Sequence, residues 1–167
     1  MPSPPAVITL THRLDPAVPA PIADCLWLTA EERTRSRHRF QTETGQAVFL
    51  QLSRGTALQD GDRLQSPDGF TVLVRAKPEP VLTVRADSPL QLLQAAYHLG
   101  NRHVPLEITA DYLRLSPDPV LKDMLLHRGV SVQDDLQPFH PEPGAYGSHA
   151  PTHSHSHSPH PLTHSPT

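Results

Sequence analysis

Proline is the residue that most limits what this chain can fold into. The sequence contains 20 prolines among 167 residues, about twice the usual share. Proline lacks an amide hydrogen and breaks the interior of a helix, so a chain built from long helices is disfavoured. The length and a hydrophobic content of 37% permit one ordinary domain, or two small domains with a tail.

Residues 1–78 have the pattern of a small all-β domain. Short apolar or alternating runs are separated by turns, among them the tight-turn dipeptides Asp60-Gly61 and Asp68-Gly69. No stretch of useful length repeats with the period of a helix. The predicted strands are residues 6–10, 25–28, 33–40, 46–52 and 70–74.

Four arginines alternate along the third of these predicted strands, at Arg33, Arg35, Arg37 and Arg39. Alternation places them on one face of the strand, where they would suit an acidic partner surface. Acidic residues lie close to them in the sequence, however, so a simple solvated face is the favoured interpretation.

Residues 79–147 predict a ferredoxin-like domain with the element order β-α-β-β-α-β. Two prolines within residues 77–80 indicate a linker before this domain. In the predicted arrangement, two helices pack on one face of a four-stranded antiparallel sheet. The predicted strands are residues 81–84, 104–108, 112–115 and 130–132.

Capping residues define the two predicted helices. Ser88 is a suitable N-cap, and Gln91 completes a capping box with it. Asp118 is the N-cap of the second helix, and a proline follows each cap. Glycines close the helices, at Gly100 and Gly129. The buried stripe predicted for the second helix consists of Val120, Leu121, Met124, Leu125 and His127.

Histidine is concentrated at the carboxyl end of the chain. Six of the 12 histidines lie in residues 148–167, a stretch without any Lys, Arg, Asp or Glu. This segment has little to bury, so it is predicted to be a disordered His-rich tail. Neutral imidazoles bind Ni²⁺, Zn²⁺ and Cu²⁺; the alternative is a polar, solubilising or cloning-derived tail. The predicted metal ligands are His149, His153, His155, His157, His160 and His164.

One further histidine, His103, follows the predicted helix end at Gly100. A histidine on a loop between a helix and a strand is placed to be exposed, although a single histidine is more often structural or simply solvated. One imidazole binds a divalent ion poorly, so His103 becomes a metal site only if a second chain supplies another ligand. His103 therefore predicts a symmetric dimer. Packed, interfacial, helix-end or structural roles are assigned to His12, His38, His98, His127 and His140.

Composition and missing motifs argue against several functional classes. The formal net charge of −3 argues against nucleic acid as a partner. No apolar run approaches a membrane span, and the first residues lack signal-peptide features, so a cytoplasmic protein is expected. Cys25 is the single cysteine, which excludes an intramolecular disulfide. No phosphate-binding glycine loop and no hydrolase motif is present, so the protein is not expected to be an enzyme.

Three motifs occur in order in the second half of the chain: Tyr97-His-Leu-Gly-Asn-Arg-His-Val-Pro-Leu106, Val120-Leu-Lys-Asp-Met-Leu125 and Pro138-Phe-His-Pro-Glu-Pro-Gly-Ala-Tyr146. A weaker match is Val48-Phe-Leu-Gln-Leu-Ser-Arg-Gly55, followed by Asp60-Gly-Asp62. Together with the histidine-rich end, these stretches resemble UreE, the urease accessory metallochaperone family that delivers nickel.

The resemblance implies a peptide-binding β domain followed by a ferredoxin-like metal-binding domain that forms a homodimer. His103 would bind Ni(II) jointly with its mate from the second chain, and Zn(II) or Cu(II) would compete for the same ligands. The implied partners are the urease apoprotein complex and the urease accessory GTPase. Some members carry a further pair of histidine ligands before the second helix, where this chain has Ser116-Pro117-Asp118-Pro119.

Two other functions remain open from the sequence. The first is a peptide-binding folding chaperone whose histidine-rich tail only buffers metal. The second is a metallohydrolase with Asp111 or Glu107 beside His103, which would require three close ligands and a general base.

Overall fold

The structure is a computed structural model that describes residues 6–144. The predicted disordered tail and its six candidate ligands, His149 to His164, lie outside the described residues. Within them, two helices accompany three sheets, so the protein is an α+β structure, as the sequence predicts.

Residues 8–76 form two sheets. Both sheets contain one parallel strand pair, because β1 runs parallel to β5 and β3 runs parallel to β7. The strands are β1 (Ile8–Leu10), β2 (His12–Arg13), β3 (Asp24–Leu28), β4 (Arg37–Gln41), β5 (Ala47–Gln51), β6 (Arg63–Gln65) and β7 (Thr71–Ala76). Their order is β1-β5-β4 in the first sheet and β2-β6-β7-β3 in the second.

A single core joins these two sheets. Alternate residues of β5 supply Val48 and Leu50, both fully buried, and Leu26 and Val74 come from the second sheet. Side chains at every second position of a strand share one face, so the apolar alternation visible in the sequence becomes the buried face. The complete cluster consists of Leu10, Leu26, Leu28, Val48, Leu50, Leu52, Leu58, Leu64, Val72 and Val74.

The prediction of one strand over residues 33–40 is wrong at its beginning. Residues Glu32–Thr34 form a 3-10 turn, and β4 starts only at Arg37. Arg33 is 96% buried, and its Nη1 donates to the carbonyl oxygen of Leu28 at 3.2 Å. Arg33 therefore does not belong to the solvated stripe, and Arg35 pairs with Glu31 at 2.6 Å.

Residues 79–137 form the third sheet and both helices. The elements are β8 (Glu79–Arg85), α1 (Pro89–Gly100), β9 (Glu107–Ile108), β10 (Leu113–Leu115), α2 (Pro119–His127) and β11 (Ser131–Gln137). The strand order is β11-β8-β10-β9, and every neighbouring pair is antiparallel. The predicted linker shortens to residues 77–78, because Pro80 lies in β8 opposite Leu136.

Both helices begin at the predicted caps. The Ser88 side chain accepts a hydrogen bond from the amide of Gln91 at 3.4 Å, and Asp118 accepts from the amide of Leu121 at 2.9 Å. These bonds satisfy amide groups that a first helical turn leaves without partners. Together with the sheet, the helices bury Leu82, Val84, Leu92, Ala95, Leu99, Leu106, Leu113, Leu115, Leu125 and Val130.

The predicted buried stripe of α2 is too wide. Leu125 is fully buried, and Leu121 and Met124 are partly buried, but the Val120 side chain is 77% exposed and His127 is exposed. The helix has only nine residues, and its packed face centres on the positions of Leu121 and Leu125, one turn apart. Val120 is rotated by about 100° from Leu121, which turns it toward solvent.

Candidate functional site

His103 lies on the loop that joins α1 to β9. Its backbone has φ = 56°, the only positive value for a non-glycine residue within residues 6–144. The conformation is held by hydrogen bonds, because the amide of His103 donates to Gly100 at 2.9 Å and that of Arg102 donates to Leu99 at 3.0 Å. A left-handed backbone costs a non-glycine residue about 1 kcal/mol, and such conformations concentrate at functional sites.

The imidazole of His103 is available to a ligand. The residue is exposed, and no hydrogen bond to this side chain occurs among the described residues. Arg102 points its guanidinium back along α1, where Nη1 donates to the carbonyl oxygen of His98 at 3.0 Å. The loop is thus braced through its backbone and through Arg102, while the His103 ring has no hydrogen-bond partner within residues 6–144.

An exposed apolar stripe on α1 leads toward this loop. The side chains of Leu90, Leu93 and Tyr97 are 64%, 68% and 66% exposed. Residues spaced by three, four and seven positions share one helix face, and position 101 lies on the same face. We call Leu90, Leu93 and Tyr97 the α1 stripe. Large exposed apolar patches on a folded protein mark sites of association.

A shallow apolar groove borders the α1 stripe. It lies between α1 and the β9–β10 hairpin, and Leu93, Ala96 and Leu113 contribute to its lining. Ile108 also lines it and is 48% exposed. The apolar surface therefore continues from the helix to the edge strand β9. The sequence analysis did not predict this exposed apolar surface. The available signal was the number of apolar residues in α1, which is larger than one buried helix face can hold.

Two of the other described histidines, His98 and His127, have local partners. The His98 ring stands edge-on to Tyr97, with ring centroids 5.3 Å apart. Desolvation, followed by the charges of Arg128 and Arg102, lowers the pKa of His98. Nδ1 of His127 lies 2.7 Å from the carbonyl oxygen of Asp123. These two positions suit the packed and helix-end roles expected from the sequence.

No metal site is complete within the part of one chain that the structure describes. Among residues 6–144, no three His, Cys, Asp or Glu side chains are grouped so that they could hold an ion. Within this part of the chain, His103 is not grouped with the two further close ligands that a metallohydrolase would require. The candidate ligands His149, His153, His155, His157, His160 and His164 lie outside the described residues.

The carboxylate of Glu107 is buried and hydrogen-bonded to neighbouring groups, and is not open to a metal ion. It is 7% exposed, and its Oε1 accepts hydrogen bonds from the Tyr112 hydroxyl at 3.0 Å and from Arg114 Nη1 at 3.3 Å. Its Oε2 accepts from the amide of His140 at 2.9 Å. Both carboxylate oxygens are thus occupied, and Glu107 acts as the centre of a polar cluster.

Tyr112 in this cluster provides a pH-dependent test of the structure. Burial, followed by the hydrogen bond to Glu107 and its negative charge, raises the pKa of Tyr112 above the ordinary 10.0. A raised folded-state pKa favours the protonated phenol, so its stabilisation is complete below pH 10 and is lost as the pH rises through the folded value. We expect the free energy of unfolding to begin to fall as the pH rises above about 10, and to fall less steeply in Tyr112→Phe.

Urea unfolding across that pH range measures this effect. Tyr146→Phe is the matched control, because it removes one phenol outside residues 6–144 and should leave the alkaline decline that Tyr112 causes unchanged. An identical decline in the parent chain and in Tyr112→Phe would show that Tyr112 is not responsible.

Comparison with known proteins places these features in a family. The profile described as "UreE urease accessory protein, C-terminal domain" matches residues 79–165, and the corresponding N-terminal domain matches residues 10–77. The chain belongs to the UreE family. A urease accessory protein UreE of Nostoc sp. is 58% identical over 146 residues, which cover 87% of this chain and 99% of that protein.

Two further UreE relatives support the assignment. The protein of Nostoc punctiforme is 53% identical, with 88% of this chain and all of the relative covered. The protein of Nitrosococcus oceani is 45% identical, with 92% and 89% covered. The resemblance predicted from the sequence motifs is confirmed. UreE membership connects the chain to urease maturation and identifies it, by family name, as an accessory protein. Neither helix within residues 6–144 is long and apolar enough to cross a membrane.

Proposed function

We propose that this protein is a nickel metallochaperone that delivers Ni(II) to apo-urease during assembly of the urease active site. The observation that carries the proposal is the position of His103. Its free imidazole lies on a braced, exposed loop at the end of the apolar α1 stripe. An accessory protein without a complete ligand set in one chain can hold its cargo between two chains and release it on contact.

The α1 stripe supports a homodimer as the binding form. A two-fold interface uses the same patch on both subunits. If two copies meet through Leu90, Leu93 and Tyr97, the helix end beyond residue 100 of each copy lies next to the interface. With the two-fold axis near the Tyr97 end of the stripe, the two His103 imidazoles approach each other and bind one ion jointly.

Imidazole ligands suit a protein that must release its metal. Nitrogen donors bind Ni(II), and also Zn(II) and Cu(II), which compete for the same positions. A site with two protein ligands leaves coordination positions open, so an acceptor can add its own ligands before the first ones leave. The acceptors in this proposal are the urease apoprotein complex and the urease accessory GTPase, in the cytoplasm.

The histidines beyond the described residues are assigned to capture and hand-over. In the proposal, His149, His153, His155, His157, His160 and His164 bind further ions and exchange them with the His103 pair. Tethering such ligands to the same chain raises their effective concentration near the site.

The domain assignment belongs to the same proposal. Residues 1–78 would form the peptide-binding-type β domain, residues 79–147 the ferredoxin-like domain that binds metal and dimerises, and residues 148–167 the tail. The strand order β11-β8-β10-β9, with helices after the first and third strands, supports the ferredoxin-like description.

Nickel titration of His103→Asn tests the function. Asparagine tolerates the left-handed backbone, so the variant removes the ligand with little change to the loop. In a chain ending after Gly147, we expect the parent to bind about one Ni(II) per dimer and the variant to lose affinity on the order of 100-fold. Isothermal titration calorimetry measures both quantities.

His127→Asn is the control, because His127 is an exposed histidine on α2 and is expected to bind nickel like the parent. Removal of residues 148–167 alone should lower the number of bound ions without removing the last site. Unchanged affinity in His103→Asn would refute the assignment of the metal to His103.

A further inference from the structure

One strand of the first sheet has a free edge. The order β1-β5-β4 places β4 (Arg37–Gln41) at the end of that sheet, with β5 on one side only. Four of its five residues are exposed, and Phe40 is partly buried. The strand contains no proline, and its register with β5 is uninterrupted. We call Arg37–Gln41 the β4 edge.

Alternate residues of the β4 edge direct their backbone groups away from the sheet. Backbone hydrogen bonds of 2.9 Å join Ser36 to Leu52 and Thr42 to Gln46, the two pairs that flank the strand. In an antiparallel ladder, hydrogen-bonded pairs alternate with pairs that are not bonded to each other. Every odd-numbered residue from 37 to 41 therefore turns its amide and its carbonyl oxygen outward. In the described part of the chain, these outward groups have no hydrogen-bond partner.

The β4 edge also carries positive charge. Arg37 and Arg39 lie on one face of the strand, because side chains at every second position share a face. Residues 33–41 contain four arginines and no Asp or Glu. Of the acidic residues nearby in the sequence, Glu31 pairs with Arg35, whereas no described carboxylate lies within 4.0 Å of either arginine of the β4 edge. In a chain with a formal net charge of −3, this edge is a local cationic surface.

Free backbone groups and unpaired arginines together select the kind of partner. A free strand edge pairs with another extended segment through backbone hydrogen bonds. A second copy of β4 is disfavoured, because it would bring arginines opposite arginines, and like charges on edge strands prevent such self-association. An extended segment with Asp or Glu at alternate positions satisfies the outward backbone groups and pairs with both guanidinium groups.

We propose that the β4 edge is a docking site for an acidic extended segment of a partner protein, which adds to the sheet as its fourth strand. Carboxylates at alternate positions of that segment pair with Arg37 and Arg39. Backbone hydrogen bonds supply the affinity, and the arginines select acidic sequences. The β4 edge does not include His103, so the inference stands whether or not that residue binds nickel.

Binding of synthetic peptides to the full chain tests the inference. The probe is a capped, fluorescently labelled peptide of about nine residues in which glutamate alternates with valine. Fluorescence anisotropy at about pH 8 without metal keeps the imidazoles of the chain neutral. We expect binding at low salt that weakens as salt is added. The same peptide with lysine in place of glutamate should not bind.

Substitutions separate the contribution of charge from that of the backbone. Arg39→Gln should weaken peptide binding about threefold, and the double variant that also contains Arg37→Gln about tenfold. Arg128→Gln is the matched control for one lost charge, because Arg128 is exposed and follows α2. Gln41→Pro removes an outward amide without changing the charge, which an edge strand tolerates, and should weaken binding about fivefold. Gln41→Ala keeps that amide and should bind like the parent.

Two measurements on the parent chain detect strand pairing directly. Hydrogen exchange should slow on peptide binding at the amides of Arg37, Arg39 and Gln41, and change little at His38 and Phe40, which already pair with β5. Peptides methylated either on the glutamate nitrogens or on the valine nitrogens give the second measurement. Only one of these two sets faces β4 in an added strand, so one methylated peptide should bind about tenfold more weakly and the other normally.

Several results would overturn the inference. The glutamate peptide could fail to bind, or it could bind no better than the lysine peptide. Unchanged binding in the double arginine variant would place the site elsewhere on the chain. Equal slowing of odd and even amides, with equal effects of the two methylations, would show attraction by charge without strand pairing. A single-stranded DNA oligonucleotide that bound more tightly than the peptide, and lost affinity in the same arginine variants, would assign the surface to nucleic acid.

Discussion

Leu93→Glu is expected to convert the proposed dimer into monomers and to remove the proposed nickel site between the two chains. Leu93 is 68% exposed in one chain and lies between Leu90 and Tyr97 in the α1 stripe. Loss of one well-packed interface side chain weakens the free energy of association by about 2 kcal/mol. In a two-fold interface the same side chain is lost from both subunits. The free energy of dimerisation should therefore weaken by about 4 kcal/mol, which raises the dimer dissociation constant roughly 1000-fold.

Sedimentation equilibrium at matched protein concentrations measures this change, and thermal unfolding verifies that the monomer is folded. Val120→Glu is the control, because Val120 is equally apolar, is 77% exposed and lies on α2 instead of α1. If Val120→Glu were monomeric and Leu93→Glu remained dimeric, the interface would lie on α2 and not on α1. Tight nickel binding by a monomeric Leu93→Glu would contradict a site shared between two chains.

Glu107→Ala is expected to lower the free energy of unfolding by about 3–5 kcal/mol. The substitution leaves the Arg114 guanidinium, whose side chain is 14% exposed, without its carboxylate partner. It also removes the acceptors of the Tyr112 hydroxyl and of the His140 amide. Breaking a buried ion pair from one side is costly because the remaining charge stays desolvated.

Equilibrium urea unfolding gives this difference directly. Glu142→Ala removes an exposed carboxylate from a nearby position and should change stability by less than about 0.5 kcal/mol. A loss below about 1 kcal/mol in Glu107→Ala would mean that water or another acceptor replaces the carboxylate, and that the cluster is not a structural centre.

The sequence predicted those features whose cause is local. Ser88 and Asp118 cap the two helices as expected, because a side chain that accepts the free amide three residues later needs no distant partner. The alternation of apolar residues at Val48 and Leu50 also predicted a strand correctly, since these side chains lie on one buried strand face. His103 was singled out by its position after the helix, and it lies on an exposed loop.

The features that the sequence did not predict depend on distant contacts. Arg33 continues the alternation of arginines in the sequence, but its side chain donates to the carbonyl oxygen of Phe139, 106 residues away. The short strands β2 and β6 gave no periodic signal because they contain only two and three residues. The exposure of the α1 stripe was not predicted either, because apolar periodicity marks a helix face without showing whether another part of the protein covers it.

The pairing of β8 with β11 has a consequence for how the third sheet assembles. Seven residue pairs join the two strands, from Ser131 with Arg85 to Gln137 with Glu79, and both helices lie between them along the chain. Ladders between residues so far apart form late and slow the folding of a domain. Until β11 arrives, one edge of β8, with Val81, Leu82 and Val84, has no strand beside it. During synthesis this edge is therefore open to pairing with other chains, and the docking of β11 closes it.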